Sequence, residues 1–136
     1  MNHNATLVIV AFATIQSDGT ITLDQSLIPC AAMSNWLASG KKLMFSIGGQ
    51  GAVWSQLFAS NTSMAKGINS TLQILKTSPF IGVDLDLEDY STSPFTVAQF
   101  ILNLKKNLIG YYVSVTAECV GVYQGETVPT NSSWVA

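Results

Sequence analysis

Hydrophobic positions in this chain follow two rhythms, continuous short runs and stripes at helical spacing, and the two alternate. Leu7-Val8-Ile9-Val10-Ala11-Phe12-Ala13 is a β-branched and aromatic run, stopped by the turn pair Asp18-Gly19, and reads as a buried strand. Cys30 to Ser39 follows Pro29, places Met33, Trp36 and Leu37 at helical spacing and meets Gly40, which predicts a short amphipathic helix. Lys42 to Ile47 is the next buried strand, broken at Gly48-Gly49-Gln50-Gly51. Ala65, Ile68, Leu72 and Leu75 trace one helical stripe that ends before Ser78-Pro79. A third apolar run, Phe80 to Leu87, is interrupted by acidic residues. Ser93-Pro94 then offers an N-cap with proline at the first helical position, and Val97, Phe100, Ile101, Leu104 and Leu108 line one face before Gly110. Tyr111 to Ala117 is the fourth strand.

Strands alternating with helices in this order predict an α/β fold of parallel βαβ units. From Cys119 the pattern dissolves into Gly, Pro, Thr, Asn and Ser, so 119–136 is expected to be irregular, and no helix follows the fourth strand to cover it. No repeat, linker or second domain is visible, and 1–136 is read as a single unit.

The acidic strand carries the candidate chemistry. Four of the eight acidic residues lie between positions 84 and 89, and Asp84, Asp86 and Glu88 alternate with Val83, Leu85 and Leu87. Successive strand side chains point to opposite faces, so the three carboxyls share one face about 6 to 7 Å apart. Apolar Phe80 and Ile81 before the strand, and helical patterns on both sides, argue that it is buried. Close, buried carboxyls disfavour simultaneous ionisation, and a protonated carboxyl beside ionised ones is a general acid. Glu88 is the candidate acid because it is last on the strand, and parallel α/β folds place their chemistry at the carboxyl ends. Asp86 and Asp84 would tune and orient it. A calcium loop is disfavoured because Leu85 and Leu87 stand where such loops carry polar residues or Gly, leaving a magnesium-binding pair or a plainly solvated strand face as competing readings.

Composition narrows the function classes. Hydrophobic residues make up 48% of the 136, and charged residues only 10%, with no Arg, which argues against nucleic-acid partners. Lys41-Lys42 and Lys105-Lys106 sit at the ends of apolar segments as solvated groups do. No apolar run is long enough to span a bilayer and Met1-Asn2-His3-Asn4 has no basic lead into an apolar core, so neither membrane nor export signal is expected in the chain as given. His3, the single histidine, lies in a polar terminus, which disfavours histidine-based triads, and Cys30 and Cys119 do not make a zinc pattern. Asn-x-Ser/Thr sequons at Asn4, Asn61, Asn69 and Asn131 suit a secreted eukaryotic protein, although a chain rich in Ser and Thr acquires some by chance.

Two motifs resemble the family 18 glycoside hydrolases, the chitinases and endo-β-N-acetylglucosaminidases built on a (β/α)8 barrel. The family's acidic strand reads D-G-x-D-x-D-x-E, and Ile81-Gly82-Val83-Asp84-Leu85-Asp86-Leu87-Glu88 matches every fixed position but the first. The preceding family strand ends S-x-G-G, as do Ser46-Ile47-Gly48-Gly49. Ala11-Phe12-Ala13 is similar to the family's "AFA" strand and Ser114 to Glu118 to its "LTxAPE" strand. The resemblance implies a TIM barrel of which about four of eight strands are present, with the first family strand before Asn4 and the last three after Ala136. An open half-barrel would leave unpaired strand edges and invite self-association.

The implied reaction is retaining hydrolysis of β-1,4-linked N-acetylglucosamine polymers or oligosaccharides in which the substrate's own N-acetyl oxygen attacks the anomeric carbon. Glu88 would protonate the glycosidic oxygen, Asp86 would orient the N-acetyl group and Asp84 would support Asp86. No cofactor or metal is implied. Ser46, Gly48 and Gly49 would line the sugar site; Trp54, Tyr90, Tyr123 and Trp134 are aromatic candidates in or near loops after strands, and Glu118 follows the last strand at the same end as Glu88. The parent protein is expected to be secreted. Ile81 replaces the family's first Asp, and the tyrosine of the sixth family strand has no counterpart here. A sugar-binding protein without hydrolytic activity and a non-functional fragment are the alternatives; the presence of Glu88 argues against a lectin that arose by losing the acid.

Overall fold

The computed structural model describes residues 5–24, 26, 30–88 and 92–117. In chain order the elements are β1 (Leu7–Ile15), β2 (Ile21–Thr22), α1 (Ala31–Ala38), β3 (Lys42–Gly48), α2 (Trp54–Leu57), α3 (Asn61–Thr77), β4 (Gly82–Leu87), α4 (Pro94–Asn107) and β5 (Tyr112–Ala117). The sheet order is β2-β1-β3-β4-β5, with β1, β3, β4 and β5 parallel and β2 antiparallel to β1. The expected strand–helix alternation is therefore present, in the arrangement of part of a (β/α)8 barrel. The segment expected to be irregular, 119–136, lies outside the described residues.

Two short elements were not expected. Asp18-Gly19 does more than stop β1: Gln16 N–H donates to Thr20 O at 2.8 Å, Thr14 pairs with Thr22, and Ile15 pairs with Ile21. The turn thus makes a hairpin, and β1 runs two residues past the expected end because Thr14 and Ile15 find partners across it. The second is α2, a single turn starting at Trp54.

The sheet has an apolar back. Leu43, Phe45, Ile47, Val83, Leu85 and Leu87 alternate along β3 and β4 and join one core cluster with residues of the helices. Helix α4 buries Val97, Phe100 and Leu104, and Leu108 closes the same face, as its periodicity predicts. Proline occupies the first turn of α4 as expected, but the Ser93 side chain makes no capping bond. Helix α1 buries Met33 while Leu37 is exposed. Among the described residues nothing covers Val115 on the back of β5, which stays exposed.

The stripe on α3 needs correcting. Its buried residues are Gly67, Ile68, Thr71 and Leu75; Leu72 is half-buried and Ala65 faces out. Gly67 decides this rotation. A Cβ there would stand 2.3 Å from Leu57 Cδ1 and 3.1 Å from Gly19 O, so α3 uses its missing side chain to approach α2 and the hairpin. Pattern reading counted apolar side chains and missed a face whose contact is made by backbone.

Polar contacts hold the hairpin to α3. Lys66 Nζ lies 2.9 Å from Asp18 Oδ2, Thr20 N–H donates to Asp18 Oδ1 at 3.0 Å, and Ile21 N–H donates to Ser70 Oγ at 2.8 Å. The Lys66 hydrogen bond first, and then the Thr20 amide, hold the Asp18 carboxyl well below the usual carboxylate range. Asp24 is lowered too, by the Ser26 amide. With folded pKa values below the unfolded ones, both groups stabilise the fold above about pH 4 and lose that contribution as pH falls toward the depressed folded values. Urea midpoints measured downward from pH 5 are expected to decline through this window, and Asp18→Asn is expected to flatten part of the decline. An unchanged slope in Asp18→Asn would show that the hairpin contact does not contribute. Among the described residues, no helix is long and apolar enough to cross a membrane.

Candidate active site

Strand register assembles the front of the sheet. Ser46 of β3 stands beside Asp84 of β4, which stands beside Ser114 of β5; one row toward the carboxyl ends, Gly48, Asp86 and Thr116 are likewise neighbours. The period of two puts both rows on the face opposite the apolar back.

Asp84 is 3% exposed and Ser46 2%. Burying a carboxyl without hydrogen bonds is costly, and here the donors come from both adjacent strands. Ser46 Oγ donates to Oδ2 at 2.8 Å and Ser114 Oγ to Oδ1 at 2.6 Å. Thr116 Oγ1 lies 3.2 Å from both oxygens. The hydroxyls fix the plane of the carboxyl, so Asp84 is a rigid acceptor beneath the row that holds Asp86. Ser46→Ala, which removes a short buried bond, is expected to destabilise by about 1–3 kcal/mol in urea unfolding. Thr116→Val, which removes long bifurcated contacts, is expected to cost less. Equal losses would mean that the distances do not rank the bonds.

Asp86 and Glu88 are both half-buried. Glu88 directly follows Leu87, the last residue of β4, at the rim where the parallel strands end. The three carboxyls therefore rise in steps of two residues from the sheet interior to its carboxyl edge. Among the described residues, no three His, Cys, Asp or Glu side chains are grouped as a metal site requires.

Close backbone approach explains the glycine pair at the end of β3. Gly48 has φ +119°, and a Cβ on it would lie 2.2 Å from Asp86 O and 2.9 Å from Trp54 Cζ2. Gly49 N–H points at the same carbonyl, Asp86 O, at 3.4 Å. This glycine pair lets the end of β3 lie against the backbone that carries Asp86. Beside it, Thr14, Gly48, Gln50 and Val53 line a cavity of about 260 Å³ at the carboxyl end of the sheet. A larger cavity of about 500 Å³, lined by Leu7, Lys42, Met44 and Tyr112, lies at the amino ends of the strands, away from Asp86 and Glu88.

The expectation that Trp54 offers its ring to a sugar does not fit its position. Trp54 is 1% exposed, stacked on Phe58 with ring centroids 5.9 Å apart, and belongs to the core. Tyr90, Glu118, Tyr123 and Trp134 lie outside the described residues, so no contact of theirs is placed.

Phe12, like the Asp84 donors Ser114 and Thr116, is not marked as a site residue by the sequence pattern. Its ring is 46% exposed and stands 2.9 Å from the Cβ position of Gly49. Strict alternation would put Phe12 behind the sheet with Val8 and Val10, which pack against the core. The register of β1 on β3 shifts between Val10 and Ala13, so Ala13 and Ile15 turn to the core and Phe12 comes to the front. A one-residue shift exchanges the faces of a strand, and no local pattern announces it.

Solved structures share this fold. A group IV chitinase from Ostrinia furnacalis, in complex with allosamidin, matches with a TM-score of 0.67 and 18% identity over 81% of this chain and 35% of its own. A chitinase-like agglutinin from Robinia pseudoacacia matches with a TM-score of 0.72 and 20% identity over 82% of this chain and 40% of its own. A point mutant of the class V chitinase from Nicotiana tobaccum, in complex with NAG4, matches with a TM-score of 0.69 and 13% identity over 81% and 37%. The chain thus spans well under half the length of each. No curated protein matches it. The family model described as Glycosyl hydrolases family 18 matches residues 2–132, and with nearly the whole chain, the acidic strand included, inside that match, this protein belongs to glycosyl hydrolase family 18.

Proposed function

We propose that this chain carries the acid-bearing portion of a chitinase-like hydrolase acting on β-1,4-linked N-acetylglucosamine polymers or oligosaccharides. Glu88 protonates the glycosidic oxygen, Asp86 orients the N-acetyl group whose oxygen attacks the anomeric carbon, and Asp84 supports Asp86 from below. The observation that carries the reading is the stepped row of carboxyls, anchored by the hydroxyls on Asp84 and ending with Glu88 at the rim. Phe12, exposed beside Gly49, adds an apolar surface for the sugar. The ligands of the Ostrinia furnacalis and Nicotiana tobaccum structures, allosamidin and NAG4, support an oligosaccharide-like ligand class for this chain.

A second reading is sugar binding without hydrolysis, favoured by the match to a chitinase-like agglutinin. The chain spans 35–40% of the compared proteins, and a sugar at this site could be enclosed by a longer polypeptide or by self-association. Exposed Leu7, Ile9 and Tyr112, together with β5 at the edge of the sheet, support the latter. The test is fluorophore release from an N-acetylchitooligosaccharide glycoside, with calorimetric binding of the unlabelled sugar and light scattering on the same sample. Turnover supports the hydrolase; binding alone supports the agglutinin-like reading; neither, from a folded chain, overturns both for the isolated chain.

A further inference from the structure

Thr71 presents a question that the fold does not answer. It lies on the inner face of α3, 0% exposed, and its Oγ1 is buried without a hydrogen-bond partner. Threonine in a helix ordinarily settles its hydroxyl on the carbonyl three or four residues back. Ser70 does this with Lys66 O at 2.8 Å, and Thr77 with Gln73 O at 2.9 Å. Thr71 does not, and an unsatisfied buried hydroxyl is a net cost that valine, of nearly the same shape, would avoid.

Position 71 has a second reading in the sequence, as the third residue of Asn69-Ser70-Thr71. Half of the eight asparagines are followed two positions later by Ser or Thr, whereas 27 Ser and Thr in 136 residues would place about a fifth of them so by chance. Asn69 itself is exposed on α3, which packs behind the sheet, away from the Asp84 face. An attached oligosaccharide would project into solvent without touching the core or the acidic strand. The surface also lacks charge, with six Lys and eight acidic residues in the whole chain, so a hydrated glycan supplies solubility that side chains do not.

We propose that Asn69 is an N-glycosylation site and that Thr71 is retained for its hydroxyl, which the transferring enzyme reads in the unfolded chain before folding buries it. The donor class is a lipid-linked diphosphate oligosaccharide with N-acetylglucosamine at its reducing end. The Asn69 Nδ2 attacks C1 of that sugar, an N–C bond forms, the C1–O bond breaks, and the lipid diphosphate leaves with the electron pair. The amide proton passes to a base of the transferase. No oxidant or reductant is needed, and the proposal is independent of whether the chain turns over sugar.

The test uses the full chain directed into the secretory pathway of a eukaryotic cell and recovered from lumen and medium. Trypsin cuts after Lys66 and Lys76, which isolates residues 67–76 with Asn69 as their sole sequon. Release of the glycan by peptide-N-glycosidase in heavy-oxygen water should convert Asn69 to labelled Asp. Thr71→Val should abolish the label while leaving the thermal midpoint equal to or above that of the enzymatically deglycosylated parent, and Thr71→Ser should keep the label. The luminal fraction is read even if a variant is not secreted, because transfer precedes folding. An unlabelled 67–76 peptide from luminal parent chain overturns the site. A label that survives Thr71→Val, or a lowered midpoint in that variant, overturns the role given to the hydroxyl.

Discussion

Glu88→Gln is expected to lower turnover of an N-acetylchitooligosaccharide glycoside by about 10²- to 10⁴-fold, the range over which a positioned general acid contributes. Glutamine keeps the size and hydrogen-bonding reach of the side chain and removes the transferable proton. Binding of the unhydrolysed oligosaccharide should therefore persist in the variant, and the loss should appear in kcat rather than KM. The position of Glu88 is what makes the expectation specific: it follows the last residue of β4, two residues beyond Asp86 and four beyond the hydroxyl-anchored Asp84. Turnover that survives in Glu88→Gln would move the acid to another residue and end the assignment made here.

Gly48→Ala is expected to be the most damaging single-methyl change near the site, at about 2–6 kcal/mol in urea unfolding. Two costs combine. A non-glycine residue at φ +119° carries backbone strain of about 1–3 kcal/mol, and overpacking adds about 1–3 kcal/mol. The added Cβ would meet Asp86 O at 2.2 Å, and that atom is backbone and cannot swing aside. Relief must come from separating β3 from β4, which also displaces Asp86. Gly51→Ala is the control, since Gly51 has φ +82° but nothing within 4 Å of its Cβ position; it should show the strain alone. Similar losses in the two variants would mean that contact with Asp86 O is not what Gly48 relieves.

Much of this molecule is local and was legible as such. The apolar runs at 42–47 and 80–87 and the stripe from Val97 to Leu108 became β3, β4 and α4, because the burial of each element is written in the spacing of its own side chains. The alternation of Asp84, Asp86 and Glu88 announced a candidate acidic face for the same reason, since the pleat has a period of two wherever the strand ends up. Tertiary structure decided what no spacing encodes. The donors on Asp84 come from Ser46 and Ser114, 38 and 30 residues away, and only parallel register makes them neighbours. The buried face of α3 was set by Gly67 meeting Leu57, Trp54 was drawn into the core against Phe58, and Phe12 was turned to the front by a shift of register in β1. In each case the deciding contact joins residues distant in the chain or depends on a missing side chain, whereas hydrophobic periodicity reports only which faces are apolar and not what they will meet.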